Sequence, residues 1–250
     1  MPHFGKLDFA AWSKNAPAIK DYKTEPWTLK DARILNVFME IDEDSADALL
    51  PAAMHPSIPA YVIFNVTRYP QSPVGAFTIA EARIAGRTAI RPRSFVLRSY
   101  CGNPDACREL TVRWGYPAKA GDVKMEVRHD RVIGRVSAGG RPILEIEMLD
   151  RDAISGADIQ YIASMHLARN ENDGKVVLVQ VDPEYTFAKA ERGRPMVVRF
   201  DPEAWGAGAA MRLTNPISAS YAVADVTIPK IRYVCNPELP ALAGTTKVAA

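Results

Sequence analysis

A single lysine in a tight turn near the middle of the chain is the first residue whose surroundings suit chemistry. Residues 114–121 read Trp-Gly-Tyr-Pro-Ala-Lys-Ala-Gly, so Lys119 stands between small residues after an aromatic Gly-x-Pro turn. A lysine held in a dry pocket has a lowered pKa, and its free lone pair can attack a carbonyl to form a Schiff base. The same spacing also fits a charged side chain on an exposed turn, and the residues alone leave both interpretations open.

Glu81 and Arg83 form a second candidate group, because residues two apart on a strand share one face. Both lie in a run that is predicted to be a strand, residues 76–89. A carboxylate beside a guanidinium group can act as an acid/base next to a binding site for an anionic substrate. The alternative interpretation is a salt-bridged surface ladder or an oligomer contact.

His166 is a third candidate, on a segment where it shares strand parity with Gln160 and Ser164. If that face lines a cavity, the ordinary pKa of histidine near neutrality suits proton transfer. A lone histidine on a strand face is also a common structural residue. Cys101 and Cys107 lack partners at zinc-site spacing, and no glycine-rich phosphate loop is present, so we expect neither a metal nor a cofactor.

A β-rich fold must position these residues. Short β-branched and aromatic runs alternate with turn residues throughout residues 1–250, which predicts one mainly antiparallel β domain, barrel-like, with a few short helices. Residues 1–30 are expected to form an arm, and 241–250 a loose tail. The predicted strands cover residues 32–42, 60–69, 76–89, 94–100, 123–129, 131–137, 142–149, 159–167, 176–182, 196–200, 221–228 and 231–235.

Local signals place two helices and one hairpin within this ladder. Residues 42–50 have an acidic first turn and stop at a proline. Residues 103–110 begin with Asn103 as N-cap and Pro104 at the first helical position. The Ala-Gly-Gly-Arg turn at 138–141 predicts a hairpin between its flanking strands.

Charge and composition exclude several function classes. The 31 basic and 29 acidic residues give a net charge of +2, too balanced to indicate nucleic-acid binding. No apolar run approaches the roughly 18 residues of a membrane span. Residues 1–6 lack the layout of a signal peptide, and the three cysteines form no CxxC pair, so reduced thiols in a cytoplasmic protein are expected.

Three landmarks, in order, resemble the acetoacetate decarboxylase superfamily over most of the chain. They are the early strand Arg33–Phe38 leading to Leu50-Pro51, the central turn Gly115–Gly121, and the ending Val223–Lys230 with its Ala-Asp-x-x-Ile-Pro sequence. The resemblance implies a cone-like or barrel-like, mainly antiparallel fold that assembles into homo-oligomers. It also implies a buried lysine that attacks a substrate ketone.

The resemblance breaks at the reacting group. In the decarboxylases the turn carries two lysines and the first forms the Schiff base, whereas here Ala118 stands at that position and Lys119 at its neighbour's. Asn65 and Ile79 stand where the decarboxylases carry carboxylates. Glu81 follows two residues after Ile79 and so shares its strand face. Acetoacetate decarboxylation itself is therefore not expected.

The leading hypothesis is a lyase of this fold that acts on a small or aromatic oxo acid or other carbonyl compound, as a hydratase/dehydratase or an aldolase-type enzyme. Lys119 supplies the amine and Glu81 the acid/base group. The residues expected to bind substrate are Arg33 (offset by one residue from the family's arginine), Arg83, Tyr116, Trp114, Asn65 and His166.

Two alternatives keep the cavity and change its use. In the first, no Schiff base forms, Lys119 stabilises an enolate or carboxylate by its charge, and Glu81 or His166 moves protons. In the second, the protein binds a small carbonyl or carboxylate compound without turning it over.

Overall fold

One large mixed sheet dominates the structure, a computed structural model that describes residues 3–208 and 211–248. The described residues form sixteen strands. They are β1 (Ala18–Ile19), β2 (Trp27–Ile41), β3 (His55–Pro56), β4 (Tyr61–Tyr69), β5 (Phe77–Thr88), β6 (Arg91–Cys101), β7 (Ala118–Ala120), β8 (Asp122–Val127), β9 (Arg131–Ala138), β10 (Arg141–Ala153), β11 (Ser164–Asn170), β12 (Val176–Val181), β13 (Glu184–Phe200), β14 (Leu213–Ile228), β15 (Tyr233–Cys235) and β16 (Thr245–Lys247). The helices are α1 (Phe9–Ser13), α2 (Glu43–Leu49), α3 (Pro104–Trp114) and α4 (Ala241–Gly244).

The strands follow the order β16-β15-β12-β11-β6-β5-β4-β2-β14-β13-β10-β9-β8, with β1, β3 and β7 attached to β11, β5 and β6. Most neighbours are antiparallel, and among the described residues the parallel pairs are β1 with β11, β11 with β6, and β6 with β7. The predicted mainly antiparallel β fold is confirmed. The sheet stays open, because β8 and β16 at its two ends do not pair with each other.

The sheet coils until its two halves share one core. Gly134 on β9 lies against Val66 on β4, although four strands separate β9 from β4 in the sheet order. A Cβ atom at position 134 would stand 2.8 Å from Val66 Cγ2 and 3.2 Å from Ile146 Cγ1. The absence of a side chain at Gly134 therefore lets the two halves of the sheet approach each other.

Helix α3 covers the opposite face of β5 and its neighbours. Asn103 caps it by accepting hydrogen bonds from the Asp105 and Ala106 amides, as the sequence predicted, and the helix continues four residues past the predicted end. It ends at Gly115, whose φ is 68°, and a Cβ atom added at this position would stand only 2.6 Å from Ala168 Cβ, so a larger residue does not fit. This geometry sets the chain that follows, including Tyr116, over the sheet.

Both chain ends are more ordered than the sequence suggested. Ile19, in the expected arm, is fully buried, and β1 pairs with β11. The expected loose tail contains α4 and β16, and β16 pairs with β15; positions 249 and 250 lie outside the described residues. The pairing of β1 with a strand about 150 residues away is not visible in the local composition. No helix in the described part of the chain has the length and apolar character needed to cross a membrane.

Two strand boundaries also differ from the prediction. The strand predicted over 159–167 begins only at Ser164, after a 3₁₀ turn at Gly156–Asp158 and an irregular stretch. Strand β13 begins at Glu184 instead of 196, because residues 184–195 pair with β14 and β10 despite their charged composition. Ion pairs between strands, such as Arg151 with Glu191, stabilise these charged side chains. The apolar alternation that predicts a strand does not detect such pairs.

We predict that Gly134→Ala lowers the free energy of unfolding by about 1–3 kcal/mol, because the added methyl group overpacks the contact with Val66. Urea denaturation measures the change. Gly102→Ala is the matched control, since its Cβ would meet atoms no closer than 3.7 Å, and it should change stability little. Equal stability of the two variants would contradict the coiled packing of β9 on β4.

Candidate active site

A closed polar cavity lies between α3 and the face of β4 and β5 that it covers. Asn65 and Thr67 of β4 and Glu81 and Arg83 of β5 line it from the sheet, while Leu110 and Tyr116 line it from the α3 side. Its free volume is about 20 Å³ for the centre of a water molecule. That space suffices for an ordered water and is too small for an organic substrate until the wall moves.

Strand register assembles a buried polar row beneath this cavity. Asn36 on β2 is paired with Asn65, Asn65 with Glu81, and Glu81 with Ser99 on β6. All four residues are buried. The Asn65 side-chain amide donates to Asn36 Oδ1 at 2.8 Å, and Thr67 Oγ1 donates to Asn65 Oδ1 at 2.9 Å. Opposed residues of antiparallel strands share a face, so the side chains of this row lie on the same side of the sheet.

Glu81 and Arg83 form an ion pair inside the cavity wall. Glu81 is only 2% exposed, and the Arg83 side chain is 15% exposed. Burial alone would lower the pKa of Arg83, but the charge and hydrogen bond of Glu81 outweigh it and raise the pKa above its ordinary value. Glu81 Oε1 and Arg83 Nε have no hydrogen-bond partner among the described residues. The pair thus keeps one acceptor and one donor for a ligand.

Four tyrosines surround the pair: Tyr69, Tyr116, Tyr161 and Tyr185. Burial raises the pKa of each phenol, and for Tyr185 it does so to about 12. The hydroxyls therefore stay protonated at neutral pH and act as hydrogen-bond donors. The Tyr161 hydroxyl is buried without a partner among the described residues. The cavity consequently offers neutral donors around one carboxylate and one guanidinium.

A larger outer pocket adjoins the cavity across a wall of Tyr161, Pro183 and Tyr185. Its volume is about 320 Å³, and its charged lining residues are Arg91, Arg93 and Asp182. The rings of Tyr161 and Tyr185 stack with their centroids 4.3 Å apart. A displacement of these two rings would join the two spaces.

The structure places Lys119 outside this cavity. Ala118 is paired with Ser99 and so lies on the face of Glu81, whereas Lys119 is paired with Tyr100 and lies on the other face. The Lys119 side chain is exposed, and the charge of Arg98, followed by partial burial, lowers its pKa. No lysine lines the cavity in the part of the chain that the structure describes. Glu81 and Lys119, expected to act together, are thus separated by the sheet.

His166 and Trp114 lie behind the cavity lining. The His166 ring is fully buried, with Nδ1 donating to the Trp114 carbonyl at 2.9 Å and Nε2 accepting from Ser164 Oγ at 2.8 Å. Its centroid is 4.1 Å from that of Tyr116. The Trp114 indole donates to the Pro229 carbonyl at 2.8 Å. Both residues stabilise the end of α3 and support Tyr116. Burial lowers the pKa of His166 to about 3.

Of the other residues predicted to bind substrate, Arg83, Tyr116 and Asn65 line the cavity, whereas Arg33 does not. Arg33 is exposed on the opposite face of β2, and its neighbour Ile34 lines the cavity instead. One residue of offset turns a strand side chain to the other face. The described residues contain no group of three or more His, Cys, Asp or Glu side chains placed to hold a metal.

Sequence reasoning missed Tyr69, Ser99, Tyr161 and Tyr185. Tyr69 has the parity of Asn65 and Thr67 on β4, so the period-2 rule was a usable signal for it. Ser99, buried with an unpartnered Oγ among the described residues, is identified only by the pairing of β5 with β6. Tyr161 and Tyr185 reach the cavity from distant segments and have no local signal.

Breaking the buried ion pair should be costly. We predict that Arg83→Met lowers the free energy of unfolding by about 3–5 kcal/mol, because it leaves the Glu81 charge buried without its partner. The double variant Glu81→Leu/Arg83→Met should cost less than Arg83→Met alone. Arg128→Met is the matched control, since Arg128 and Glu126 are also two residues apart but exposed, and it should cost less than about 1 kcal/mol. Equal losses in the two arginine variants would exclude a buried pair.

The pKa of His166 predicts a pH dependence of stability. Because the folded state resists protonation until about pH 3, the protein loses stability as pH falls below the unfolded pKa of ~6.5. His166→Gln should remove about 2–3 kcal/mol of the loss between pH 6.5 and 4.5. Chemical denaturation at several pH values measures the slope, and His129→Gln, at an exposed position, should keep the wild-type slope. A wild-type slope in His166→Gln would show that this ring is not buried neutral.

The chain is similar in sequence and in fold to known proteins. The family model described as acetoacetate decarboxylase (ADC) matches residues 12–236. Acetoacetate decarboxylase from Legionella pneumophila subsp. pneumophila str. Philadelphia 1 superposes with a TM-score of 0.73 at 20% identity, covering 83% of this chain and 86% of that chain. A search among curated proteins finds no match.

Two further solved structures are similar in fold. The enduracididine biosynthesis enzyme MppR, complexed with the condensation product of pyruvate and imidazole 4-carboxaldehyde, gives a TM-score of 0.66 at 16% identity, covering 83% of this chain and 88% of that chain. An acetoacetate decarboxylase-like enzyme from Sphingomonas wittichii RW1 gives 0.61 at 16% identity, covering 84% and 94%. These likenesses show the fold, and the family model spans most of the sequence. The chain belongs to the acetoacetate decarboxylase family.

Proposed function

We propose that this protein is a lyase-type enzyme that carries out enolate chemistry on a small 2-oxo acid in the Glu81–Arg83 cavity, without a lysine imine. The main support is one observation: a buried carboxylate with a free oxygen lies beside a buried guanidinium, within a ring of protonated tyrosine hydroxyls. Such a site combines a base, an anion-binding group and donors for an oxyanion.

Binding begins at Arg83. Its guanidinium matches a substrate carboxylate, which would replace Glu81 as its partner and free the Glu81 carboxylate. Because the closed cavity has room for little more than one water, Tyr161 and Tyr185 must move to admit the substrate from the outer pocket. The same movement, reversed, closes the site to water during the reaction.

Glu81 then acts as acid and base. It removes a proton from the carbon next to the oxo group, and a tyrosine hydroxyl such as that of Tyr116 donates to the enolate oxygen that forms. In a dehydration, Glu81 returns the proton to the leaving hydroxyl, which departs as water. In an aldol reaction, the enolate carbon attacks an aldehyde carbon, and Glu81 gives its proton to the alkoxide oxygen that forms. MppR, which shares the fold, holds a condensation product of pyruvate and an aldehyde, in keeping with this class of chemistry.

The lysine imine has no geometric support in this chain. Ala118 occupies the face that Glu81 shares, and Lys119 faces away from it. We therefore assign Lys119 no part in bond making at this cavity, which favours the imine-free alternative over the Schiff-base hypothesis.

The test is exchange of the methyl protons of pyruvate with D₂O, followed by ¹H NMR. Wild-type protein should accelerate the exchange above the buffer rate. Glu81→Gln should reduce the acceleration by about 10²-fold or more, because the general base is lost. Lys119→Gln should keep the wild-type rate, and Glu145→Gln, on β10 and half-exposed, controls for loss of a carboxylate elsewhere. Exchange that persists in Glu81→Gln, or vanishes in Lys119→Gln, would refute the assignment.

A second function, small-molecule binding without turnover, is favoured by Ala118 and by the small closed cavity. Thermal-shift measurements with pyruvate and larger 2-oxo acids separate the two functions. Stabilisation of the wild type, lost in Arg83→Met, together with no proton exchange at any pH, would establish binding alone.

A further inference from the structure

A second pocket lies on the face of β6 and β7 opposite the Glu81 cavity. It encloses about 530 Å³ between the N-terminal segment around Trp12, Arg98 of β6, Lys119 of β7, Leu167 of β11 and the loop at Gly206. Its size lies in the range of small-molecule sites, roughly 300–1,000 Å³. The sheet separates it from the Glu81 cavity, because Lys119 is paired with Tyr100 and Arg98 with Ala82, both on the other face from Glu81.

Two cations, Arg98 and Lys119, line this pocket. Among the described residues neither of them forms a salt bridge, and the described lining contains no Asp or Glu. Arg98 is held in place by its Nη1, which donates to the Ala204 carbonyl at 2.5 Å. The charge of Arg98, followed by partial burial, lowers the pKa of Lys119, as expected for two cations without a counter-charge. An anion between them would relieve this repulsion.

Apart from Asn15, the other side chains that line the pocket are apolar. Trp12 is anchored against Phe95, with ring centroids 5.7 Å apart, and Leu97 and Leu167 are buried in the wall. A Cβ atom at Gly206 would stand 3.3 Å from Arg98 Nη2, so the glycine leaves the guanidinium accessible from that side. A ligand here meets positive charge at one end and an aromatic and aliphatic wall at the other.

We propose that this pocket is a second binding site, which takes an organic acid whose carboxylate lies between Arg98 and Lys119 and whose apolar body packs against Trp12 and Leu167. Guanidinium and ammonium groups together recognise a carboxylate, and the apolar wall selects a ring or chain over a simple inorganic anion. The site uses none of the residues assigned to the Glu81 cavity, so it stands independently of the proposed reaction.

The test is isothermal titration calorimetry with phenylacetate. Wild-type protein should bind it saturably, and at least tenfold more tightly than phenylacetamide or inorganic phosphate. Lys119→Gln should weaken binding tenfold or more; because Lys119 is exposed, this substitution should leave the fold intact. Lys124→Gln is the matched control, since Lys124 is exposed five residues on and already paired with Asp122, and it should bind like wild type. Glu81→Gln should also bind like wild type, which distinguishes this site from the cavity.

A second measurement locates the ligand without relying on a variant. Reductive ¹³C-methylation keeps the lysine charge, and the Lys119 resonance, assigned by its loss in Lys119→Gln, should shift on titration while the Lys124 resonance stays fixed. No saturable binding would overturn the proposal. So would equal affinity for phenylacetamide or phosphate, unchanged affinity in Lys119→Gln, or loss of binding in Glu81→Gln.

Discussion

The buried pair of Glu81 and Arg83 is the interaction on which the rest of the structure depends. Removing two charges from water costs several kcal/mol for each ion, and a pair repays this only with good geometry and further hydrogen bonds. Here the two residues share one strand face, and the neighbouring strands supply a polar row in register. Helix α3 and the tyrosines then exclude solvent from the same space. The register of the central strands and the position of α3 are therefore constraints on the site as much as on the fold.

A second constraint is the alternation of faces along β6 and β7. On β6, Ser99 is paired with Glu81, whereas its neighbour Arg98 is paired with Ala82 and faces the opposite side of the sheet. On β7, Ala118 faces the same side as Glu81, and Lys119 faces the opposite side. One sheet thus carries the cavity of Glu81 and Arg83 on one face and the two cations Arg98 and Lys119 on the other. The lysine of the central turn belongs to the second face and therefore does not line the cavity.

Local rules predicted those features that depend on neighbouring residues. Asn103 capping α3, the hairpin at 138–141 and the shared face of Glu81 and Arg83 all follow from spacing within a few positions. The face of Lys119 does not, because it depends on the parallel pairing of β7 with β6, some twenty residues earlier. Tyr161 and Tyr185 reach the cavity through long-range packing.

Burial of the chain ends was equally hidden from local rules. Ile19 is fully buried through a strand pairing with a segment about 150 residues away, and a short polar-looking run gives no sign of that partner. Residues 184–195 were not predicted as a strand, because their sequence lacks an alternating apolar pattern. Charged side chains among them are instead paired with charges on neighbouring strands.

We propose that a 2-oxo acid binds at Arg83 in place of Glu81 and not at Lys119. A crystal structure with oxamate, an analogue of pyruvate whose amide nitrogen replaces the reacting methyl group, distinguishes the two positions. We expect oxamate in the Glu81 cavity, its carboxylate on the Arg83 guanidinium, with Tyr161 and Tyr185 displaced to make room. An undisturbed Glu81–Arg83 pair, with oxamate bound only beside Lys119, would exclude binding at Arg83.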